Sequence, residues 1–250
     1  MARNVIVTGG GTGIGLAAAQ AFAAGGDRVL ILGRRVEVLE KADVPGGKMI
    51  YAADLSTVQG ARGAAEFARE AFGGRVDVLV HSAGGIGGRM LEGPDGDDPL
   101  EAVVHDWNSN FRINTLTSIL LTEALREDLA SPGGRILFVT SIAALRGSGG
   151  GGAYGGSKAA LHPYTFDLAK ALGPRGITVN AVAPGYIEDT EFFGPSMPEE
   201  EYRRRVGAIP TGRAGTPGDV ASTLLWLASP GGGHVSGQIV QVNGGELLGR

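Results

Sequence analysis

The fold class is indicated most clearly by one segment near the start of the chain, Val5-Ile6-Val7-Thr8-Gly9-Gly10-Gly11-Thr12-Gly13-Ile14-Gly15. A short β-branched run passes directly into a glycine-rich turn, and helical periodicity begins at about Gly13. Strand, glycine turn and helix start, in this order, present free backbone N–H groups and the positive end of a helix dipole to a phosphate. The strict G-x-G-x-x-G spacing is absent, so a flexible turn in a glycine-rich chain is the alternative interpretation.

Outside this stretch, short apolar runs alternate with helical patterns along the chain. Further strands are predicted near residues 29–32, 49–52, 76–80, 135–140, 177–182 and 238–242, and further helices near 36–42, 57–72, 100–129, 153–173 and 217–227. The runs are apolar throughout rather than alternating, as expected when helices cover both faces of a parallel sheet. We therefore predict an α/β fold with a doubly wound, Rossmann-type parallel sheet of about seven strands, in a single domain over residues 1–250.

Two segments interrupt this alternation. Residues 146–152 read Arg-Gly-Ser-Gly-Gly-Gly-Gly and are predicted to form a mobile loop. The connection from Pro184 to about Gly215 greatly exceeds the usual length of about 2–6 residues, and such long connections are usually functional lids. Because ligands of doubly wound sheets lie beyond the carboxyl ends of the strands, we expect a substrate lid at about residues 185–212.

The composition excludes several classes of function. The net charge of −4 and the pI of about 5.6 provide no basic field for a nucleic acid or an anionic membrane. The chain has no cysteine, which excludes disulfides, thiolate nucleophiles and thiolate metal sites. No run reaches the ~18 apolar residues of a membrane-spanning helix. The first residues do not resemble a secretory signal, so we expect a cytoplasmic protein without nucleic-acid or membrane partners.

The end of the second predicted strand bears on the type of dinucleotide that could bind. In NAD-binding folds a carboxylate at this place accepts hydrogen bonds from the adenosine ribose. Here the residues are Gly33, Arg34 and Arg35. An arginine fork can pair with a ribose 2′-phosphate, and glycine leaves room for it, so the sequence favours NADP over NAD. Two solvated surface arginines are the alternative interpretation.

Tyr154-Gly155-Gly156-Ser157-Lys158 begins a predicted helix just after the fifth strand, on the same sheet edge as the glycine turn. Residues four apart on a helix share a face, so the phenol and the ammonium can meet. A nearby cation favours the phenolate, and we expect it to lower the pKa of Tyr154 toward the range useful for proton transfer. A Tyr-x-x-x-Lys spacing also arises by chance. The position of Tyr154 and Lys158 on the sheet edge of the glycine turn is what makes them a candidate catalytic pair.

With these features the sequence resembles the short-chain dehydrogenase/reductase family, including its 3-oxoacyl-acyl-carrier-protein reductases, over essentially its whole length. The matching residues are Thr8, Gly9, Gly13, Gly15, Asp54, Leu55, Ser82, Ala83, Gly84, Asn114, Ser141, Tyr154, Lys158, Pro184 and Gly185. Asn114 precedes Ser141 by 27 positions and Ser141 precedes Tyr154 by 13, which is the spacing of the family.

The resemblance implies a carbonyl/alcohol redox reaction in which a nicotinamide carries the hydride. Tyr154 would exchange a proton with the substrate oxygen, and Lys158 would lower its pKa and hold the nicotinamide ribose. Ser141 would orient the same oxygen, and Asn114 would hold a water linking Lys158 to solvent. Without the family spacing, we would interpret Ser141 as a cap at a strand end. We would interpret Asn114 as a hydrogen-bond partner of backbone groups inside a helix.

The resemblance also implies which residues contact the cofactor. The predicted set is Gly9, Thr12, Gly13, Ile14, Gly15, Arg34, Arg35, Asp54, Leu55, Ser82, Ala83, Gly84, Tyr154, Lys158, Pro184, Gly185, Ile187 and Thr190. Within it, Asp54 and Leu55 would contact the adenine. Two positions depart from the family pattern: His81 replaces the usual asparagine and is interpreted as structural rather than catalytic, and Thr190 falls one residue later than usual.

The predicted lid has an apolar part and a charged part. Tyr186, Phe192, Phe193, Pro195, Met197 and Pro198 either bind an acyl or hydrophobic substrate or pack the lid onto the domain. In Glu199-Glu200-Glu201-Tyr202-Arg203-Arg204-Arg205, each glutamate precedes an arginine by four positions, which favours helical ion pairs over a basic docking patch. The acidic stretch 95–98 is interpreted as a solvated loop, and no metal site is predicted.

These features together predict an NADP-preferring oxidoreductase that interconverts a ketone and a secondary alcohol, with 3-oxoacyl thioester reduction as the first candidate reaction. The alternative is a non-catalytic nucleotide-binding regulatory module of the same fold. A sugar-nucleotide epimerase or dehydratase would need additional C-terminal residues. The resemblance further implies a homo-oligomer, commonly a tetramer, formed through the helices at about 100–129 and 153–173.

Overall fold

The computed structural model describes residues 2–91, 93, 98–147, 151–193 and 197–249, and of Phe193 the backbone alone. Its strands are β1 (Asn4–Thr8), β2 (Arg28–Gly33), β3 (Met49–Ala52), β4 (Val78–His81), β5 (Arg135–Val139), β6 (Thr178–Pro184) and β7 (Ile239–Val242). They form a parallel sheet in the order β3-β2-β1-β4-β5-β6-β7. The predicted doubly wound sheet is confirmed. The strand order reverses between β1 and β4, and a ligand crevice is expected at their carboxyl ends.

Helices cover both faces of this sheet. They are α1 (Gly13–Ala24), α2 (Val36–Lys41), α3 (Val58–Phe72), α4 (Gly87–Met90), α5 (Pro99–Phe111), α6 (Thr117–Leu125), α7 (Ala143–Arg146), α8 (Ala153–Ala159), α9 (Leu161–Leu172), α10 (Glu199–Gly207) and α11 (Pro217–Ala228).

The prediction of one regular helix over residues 100–129 is wrong in detail. A π-helical segment, Arg112–Leu116, separates α5 from α6, and a 3-10 turn, Arg126–Asp128, follows α6. A π turn accommodates an extra residue and interrupts the regular i→i−4 hydrogen-bond ladder, which changes the direction of the side chains that follow. The segment contains Asn114.

The apolar strands explain why the sheet is buried on both sides. Val5 and Val7 of β1 pack on one face with Phe22 of α1, whereas Ile6 packs on the other face with Leu121 of α6. Each of these residues is at most 1% exposed. Burying such a side chain stabilises the fold by about 1.5–3 kcal/mol. The two apolar layers therefore hold the carboxyl ends of the strands in fixed positions.

The lid leaves the sheet after β6 and returns to it through α11. Ile187 and Gly215 form an isolated parallel bridge at its base. Two of the predicted ion pairs in α10 are present: Glu199 with Arg203 at 2.9 Å and Glu201 with Arg205 at 2.8 Å. The third is wrong, because Arg204 binds both carboxylate oxygens of Glu201, three residues before it, with two N–H groups at 2.8 Å.

Some predictions fall on residues outside the described part of the chain. These are the acidic residues 95 and 97, the loop centre 148–150, Pro195 and the Phe193 side chain. Asp98 is described, and its carboxylate accepts a hydrogen bond from the Leu100 N–H at 2.8 Å to cap α5. Arg146, predicted as loop, ends α7. Among the described residues no helix has the length and apolarity needed to cross a bilayer, and no three acidic or histidine side chains group as metal ligands.

Candidate active site

The glycine turn brings the start of α1 against the neighbouring strands. A Cβ on Gly9 would lie 2.9 Å from Ala83 Cα, and a Cβ on Gly15 would lie 2.2 Å from the Gly9 carbonyl oxygen. Both distances are too short for any side chain. Gly13 has a φ of +51°, a left-handed conformation that also favours glycine. The turn is therefore tightly built, which argues against the interpretation of a merely flexible segment.

A cavity of about 450 Å³ opens beside this turn. Every residue of the predicted cofactor set lines it, and so does Ser141. Asn114 does not line it. Phe192, named above among the lid aromatics, also lines it, whereas sequence reasoning missed Val38, Ile86, Arg89 and Met90. Val38 lies over the glycine turn, with its Cγ1 2.8 Å from the place where a Cβ on Gly11 would be, and no sequence pattern marks it. The others lie on the short helix α4 or directly before it, in a segment without a recognisable motif.

The outer end of the cavity, formed by Arg34, Arg35 and Glu191, is exposed and charged. Arg35 Nη2 pairs with Glu191 Oε2 at 2.9 Å. The tight glycine turn and the helix start behind it fit the phosphates of a dinucleotide, and the two arginines lie beside them at the end of β2.

Asp54, predicted at the adenine, is engaged by protein groups. Its carboxylate accepts hydrogen bonds from the Ser56 hydroxyl at 2.6 Å and from Arg112 Nη2 at 2.9 Å. Burial opposes ionisation, but the hydrogen bonds from Ser56 and the charge of Arg112 hold the pKa of Asp54 below its usual value. The residue therefore lines the cavity as a carboxylate that is already paired.

The inner end of the cavity is formed by Ser141, Tyr154 and Lys158. Ser141 follows β5, and Tyr154 and Lys158 lie on α8. A Cβ on Gly155 would lie 2.7 Å from the Ala143 carbonyl oxygen, so glycine lets α8 pack closely on the segment that carries Ser141. The structure thus brings together three of the four predicted catalytic residues.

The pKa of Tyr154 moves in the direction opposite to the sequence prediction. Burial raises the pKa of the phenol to about 12, although a hydrogen bond with Ser141 acts to lower it. The expected lowering by Lys158 is wrong for this structure, because the desolvation of the phenolate dominates. The Lys158 ammonium instead donates a hydrogen bond to the Val139 carbonyl oxygen at 2.9 Å.

Lys158 is itself buried, and burial lowers the pKa of its ammonium to about 8. Its Nζ would lie 2.8 Å from a Cβ on Gly84, so the absence of a side chain at that position makes room for it. An ammonium with this pKa is mostly charged at pH 7 and loses its proton when the pH rises a unit or so above 7.

Asn114 lies behind the cavity wall, in the π-helical segment. Its side-chain oxygen accepts a hydrogen bond from the Gly85 N–H at 2.9 Å. Its side-chain nitrogen donates to the Gly85 carbonyl at 2.9 Å, to the Asn110 carbonyl at 3.0 Å and to the Ser157 hydroxyl at 3.2 Å. The side chain therefore ties the loop after β4 to α5 and α8, which matches the backbone-partner interpretation.

His81 points away from the cavity. Its Nε2 lies 2.8 Å from the Thr122 hydroxyl and its ring stacks on Phe138 with centroids 5.0 Å apart. Burial lowers the pKa of its imidazole to about 3, so the ring is neutral at ordinary pH. These contacts agree with the structural interpretation of this departure from the family pattern.

The lid aromatics divide between the two interpretations given above. Tyr186 packs with Ile209 and Met197 beneath α10, and its hydroxyl lies 3.5 Å from the Met197 sulfur. Phe192 instead faces the cavity, with its ring centroid 5.2 Å from that of Tyr154. Pro198 is the N-cap residue of α10.

Thr190 reaches the glycine turn despite its shifted position in the sequence. Its Cγ2 lies 3.4 Å from the place where a Cβ on Gly13 would be. Asp189, directly before it, has a φ of +55°, which is uncommon for a residue with a side chain. This left-handed residue accommodates the extra position and leaves Thr190 facing the turn.

Comparison with known proteins agrees with this geometry. A model of the family described as enoyl-(acyl carrier protein) reductase matches residues 9–246. The chain belongs to the short-chain dehydrogenase/reductase family. The 3-oxoacyl-acyl-carrier-protein reductase FabG of Aquifex aeolicus (strain VF5) is 32% identical over 247 residues, covering 96% of this chain and 95% of the relative. Nodulation protein G of Rhizobium sp. (strain N33) is 33% identical, covering 98% and 97%.

Solved structures of the family share the fold along nearly the whole chain. One is a blue fluorescent protein from a metagenomic library in complex with NADPH, with a TM-score of 0.83 and 31% identity, covering 98% of each chain. The chain is therefore an oxidoreductase of a family that uses a nicotinamide cofactor.

Proposed function

We propose that residues 1–250 form one dinucleotide-binding and catalytic domain that prefers NADP and interconverts a ketone and a secondary alcohol, with Tyr154 as general acid/base. The observation that carries this proposal is the continuity of one cavity. It joins the glycine turn and Arg34/Arg35 at the outer end to Ser141, Tyr154 and Lys158 at the inner end. A cavity of this size, with few polar groups converging at one end, is typical of small-molecule sites.

The residues that would hold the cofactor are the predicted set that lines the cavity. Backbone N–H groups of the turn and of the α1 N-terminus suit the pyrophosphate, and Arg34 and Arg35 suit the 2′-phosphate. When bound in its reduced form, the nicotinamide would supply the hydride. The NADPH complex of a solved relative supports the preference for NADP.

Tyr154 is suited to give a proton to a substrate carbonyl oxygen. With a pKa of about 12 its phenol is protonated at neutral pH. In reduction, the carbonyl carbon gains a hydride and the oxygen takes the phenol proton, which leaves a phenolate. The hydrogen bond from Ser141 would stabilise that phenolate, and the Lys158 ammonium lines the same end of the cavity, where it suits the nicotinamide ribose. Asn114 stays the proposed holder of the water that links Lys158 to solvent, because its side-chain oxygen accepts one hydrogen bond in the structure and can accept a second.

The substrate proposed first is a 3-oxoacyl thioester, under a lid at about 185–212. The relative named 3-oxoacyl-acyl-carrier-protein reductase and the apolar Phe192 and Met90 in the cavity wall support it. The presence of Ser141, Tyr154 and Lys158 at one end of the cavity favours an enzyme over a non-catalytic module. The cytoplasmic location stays a prediction.

We also propose a homo-oligomer, commonly a tetramer, formed through α5 and α8–α9. One face of α5 exposes the apolar residues Leu100, Val103, Val104, Trp107 and Phe111 by 42–75%. Apolar faces of this kind usually mark protein contacts. Light scattering is expected to give a multiple of 25.5 kDa, and one chain per particle would contradict the oligomer.

The catalytic assignment is tested with Tyr154→Phe. This change removes the donated proton and leaves the ring, so kcat for ketone reduction, followed at 340 nm, should fall by about 10²–10⁴-fold. NADPH affinity should remain near the wild-type value. Tyr164→Phe is the matched control, since the Tyr164 hydroxyl bonds Glu123 outside the cavity. Equal activity in Tyr154→Phe and the wild type would refute the mechanism.

A further inference from the structure

The ion pair at the outer end spans the mouth of the cavity. Arg35 follows β2 and precedes α2, whereas Glu191, 156 positions later, begins a 3-10 turn, Glu191–Phe193, in the lid. Their side chains meet at 2.9 Å and remain 55% and 61% exposed. An ion pair this exposed contributes little to stability, because water screens it. Its position, rather than its strength, is the unusual feature.

Arg35 is one of the two guanidinium groups that the proposed function assigns to a ribose 2′-phosphate. A carboxylate and a phosphate use the same N–H groups of a guanidinium. They therefore compete for it. A phosphate monoester carries about −1.5 to −2 charges at pH 7, so it displaces a single carboxylate but is also repelled by it.

We propose that Glu191 is a specificity-determining residue that competes with the 2′-phosphate of NADP(H) for Arg35. This inference rests on the proposed function, since Arg35 must be a phosphate ligand. Glu191 weakens the binding of 2′-phosphorylated nucleotides and leaves nucleotides without that phosphate unaffected. The preference for NADP(H) over NAD(H) is therefore smaller than the two arginines alone would produce.

The lid turn has a second anchor that is independent of Glu191. Arg89 Nη1 donates a hydrogen bond to the Phe192 carbonyl oxygen at 3.1 Å. The Phe192 ring also contacts Tyr154. Removing the charge of Glu191 therefore leaves the turn in place, and Glu191→Gln changes the competition rather than the fold.

The experiment is calorimetric titration of 2′,5′-ADP and 5′-AMP, which carry the recognition groups without the nicotinamide. Glu191→Gln should bind 2′,5′-ADP about three- to five-fold more tightly than the wild type and 5′-AMP equally. Arg35→Gln should bind 2′,5′-ADP about ten-fold more weakly. Both variants break the same ion pair, so opposite shifts cannot come from a loosened lid. Glu200→Gln removes the same charge from α10 and should change neither affinity.

Two results would overturn the inference and leave the assignment of Arg35 to the phosphate standing. In the first, Glu191→Gln binds 2′,5′-ADP no more tightly than the wild type does, while Arg35→Gln still weakens binding. This result would leave the proposed NADP preference standing. The other is equal tightening by Glu191→Gln and Glu200→Gln, which would show a general charge effect. If Arg35→Gln has no effect on 2′,5′-ADP, the assignment of Arg35 to the phosphate fails, and the inference fails with it.

Discussion

The inner and outer ends of the cavity are built in different ways. At the inner end, Lys158 is buried and hydrogen-bonded to the backbone, and Tyr154 lies on a helix packed through Gly155 against the Ser141 segment. At the outer end, Arg35 and Glu191 are exposed and joined by one ion pair. Buried groups have strongly shifted pKa values and tolerate little change, whereas exposed charges can be exchanged with small effects on stability. We therefore expect substitutions at the inner end to be costly and substitutions of the exposed charges at the outer end mainly to change nucleotide binding.

The largest effect is expected from Gly15→Ala, because the glycine turn is packed as tightly as the inner end and differs in this from the exposed charges beside it. A Cβ at Gly15 would lie 2.2 Å from the Gly9 carbonyl oxygen, so the turn has to shift. We expect a loss of about 3 kcal/mol in the free energy of unfolding by urea, together with loss of NADPH binding. Gly207→Ala, in the lid helix where nothing lies within 4 Å, should be neutral or slightly stabilising. Similar losses in both variants would show that the turn is not packed as tightly as described.

A second prediction concerns the pH dependence caused by Lys158. Since burial lowers its pKa from 10.5 to about 8, the unfolded chain binds more protons than the folded chain between these values. The burial of Lys158 therefore lowers the free energy of unfolding below pH 8, and this loss is recovered as the pH rises toward 10.5.

The measurement compares wild type with Lys158→Met. The wild-type free energy of unfolding should rise relative to that of the variant by about 2 kcal/mol between pH 7 and 9.5. Lys170→Met, on the exposed side of α9, is the control and should track the wild type. Parallel curves for wild type and Lys158→Met would show that the ammonium is not buried as described.

The smallest expected effect is at the outer end. Arg34→Asp should shift the ratio of NADPH to NADH efficiency toward NADH by about ten-fold, because a carboxylate repels the 2′-phosphate and accepts hydrogen bonds from a ribose. The free energy of unfolding should stay within about 0.5 kcal/mol of wild type, as for other exposed positions. An unchanged cofactor ratio would restore the interpretation of a solvated surface arginine.

Much of this molecule could be predicted from short-range patterns. The order of the Val5–Gly15 stretch determined the first strand, the turn and the helix, because β-branched runs, glycine and helical periodicity act locally. The four-residue spacing of Tyr154 and Lys158 likewise put both on one helix face. Family spacing added Ser141 and Asn114 to the same region.

Tertiary structure alone decided the properties that depend on distant neighbours. In the π-helical segment, the Asn114 side chain forms hydrogen bonds with the loop after β4 and with α8, and these distant partners cannot be read from the helical pattern of residues 100–129. The direction of the Tyr154 pKa depends on how much water the surrounding fold removes, which spacing to Lys158 cannot report. The Arg35–Glu191 pair joins residues 156 positions apart, a separation at which sequence periodicity carries no information about contact.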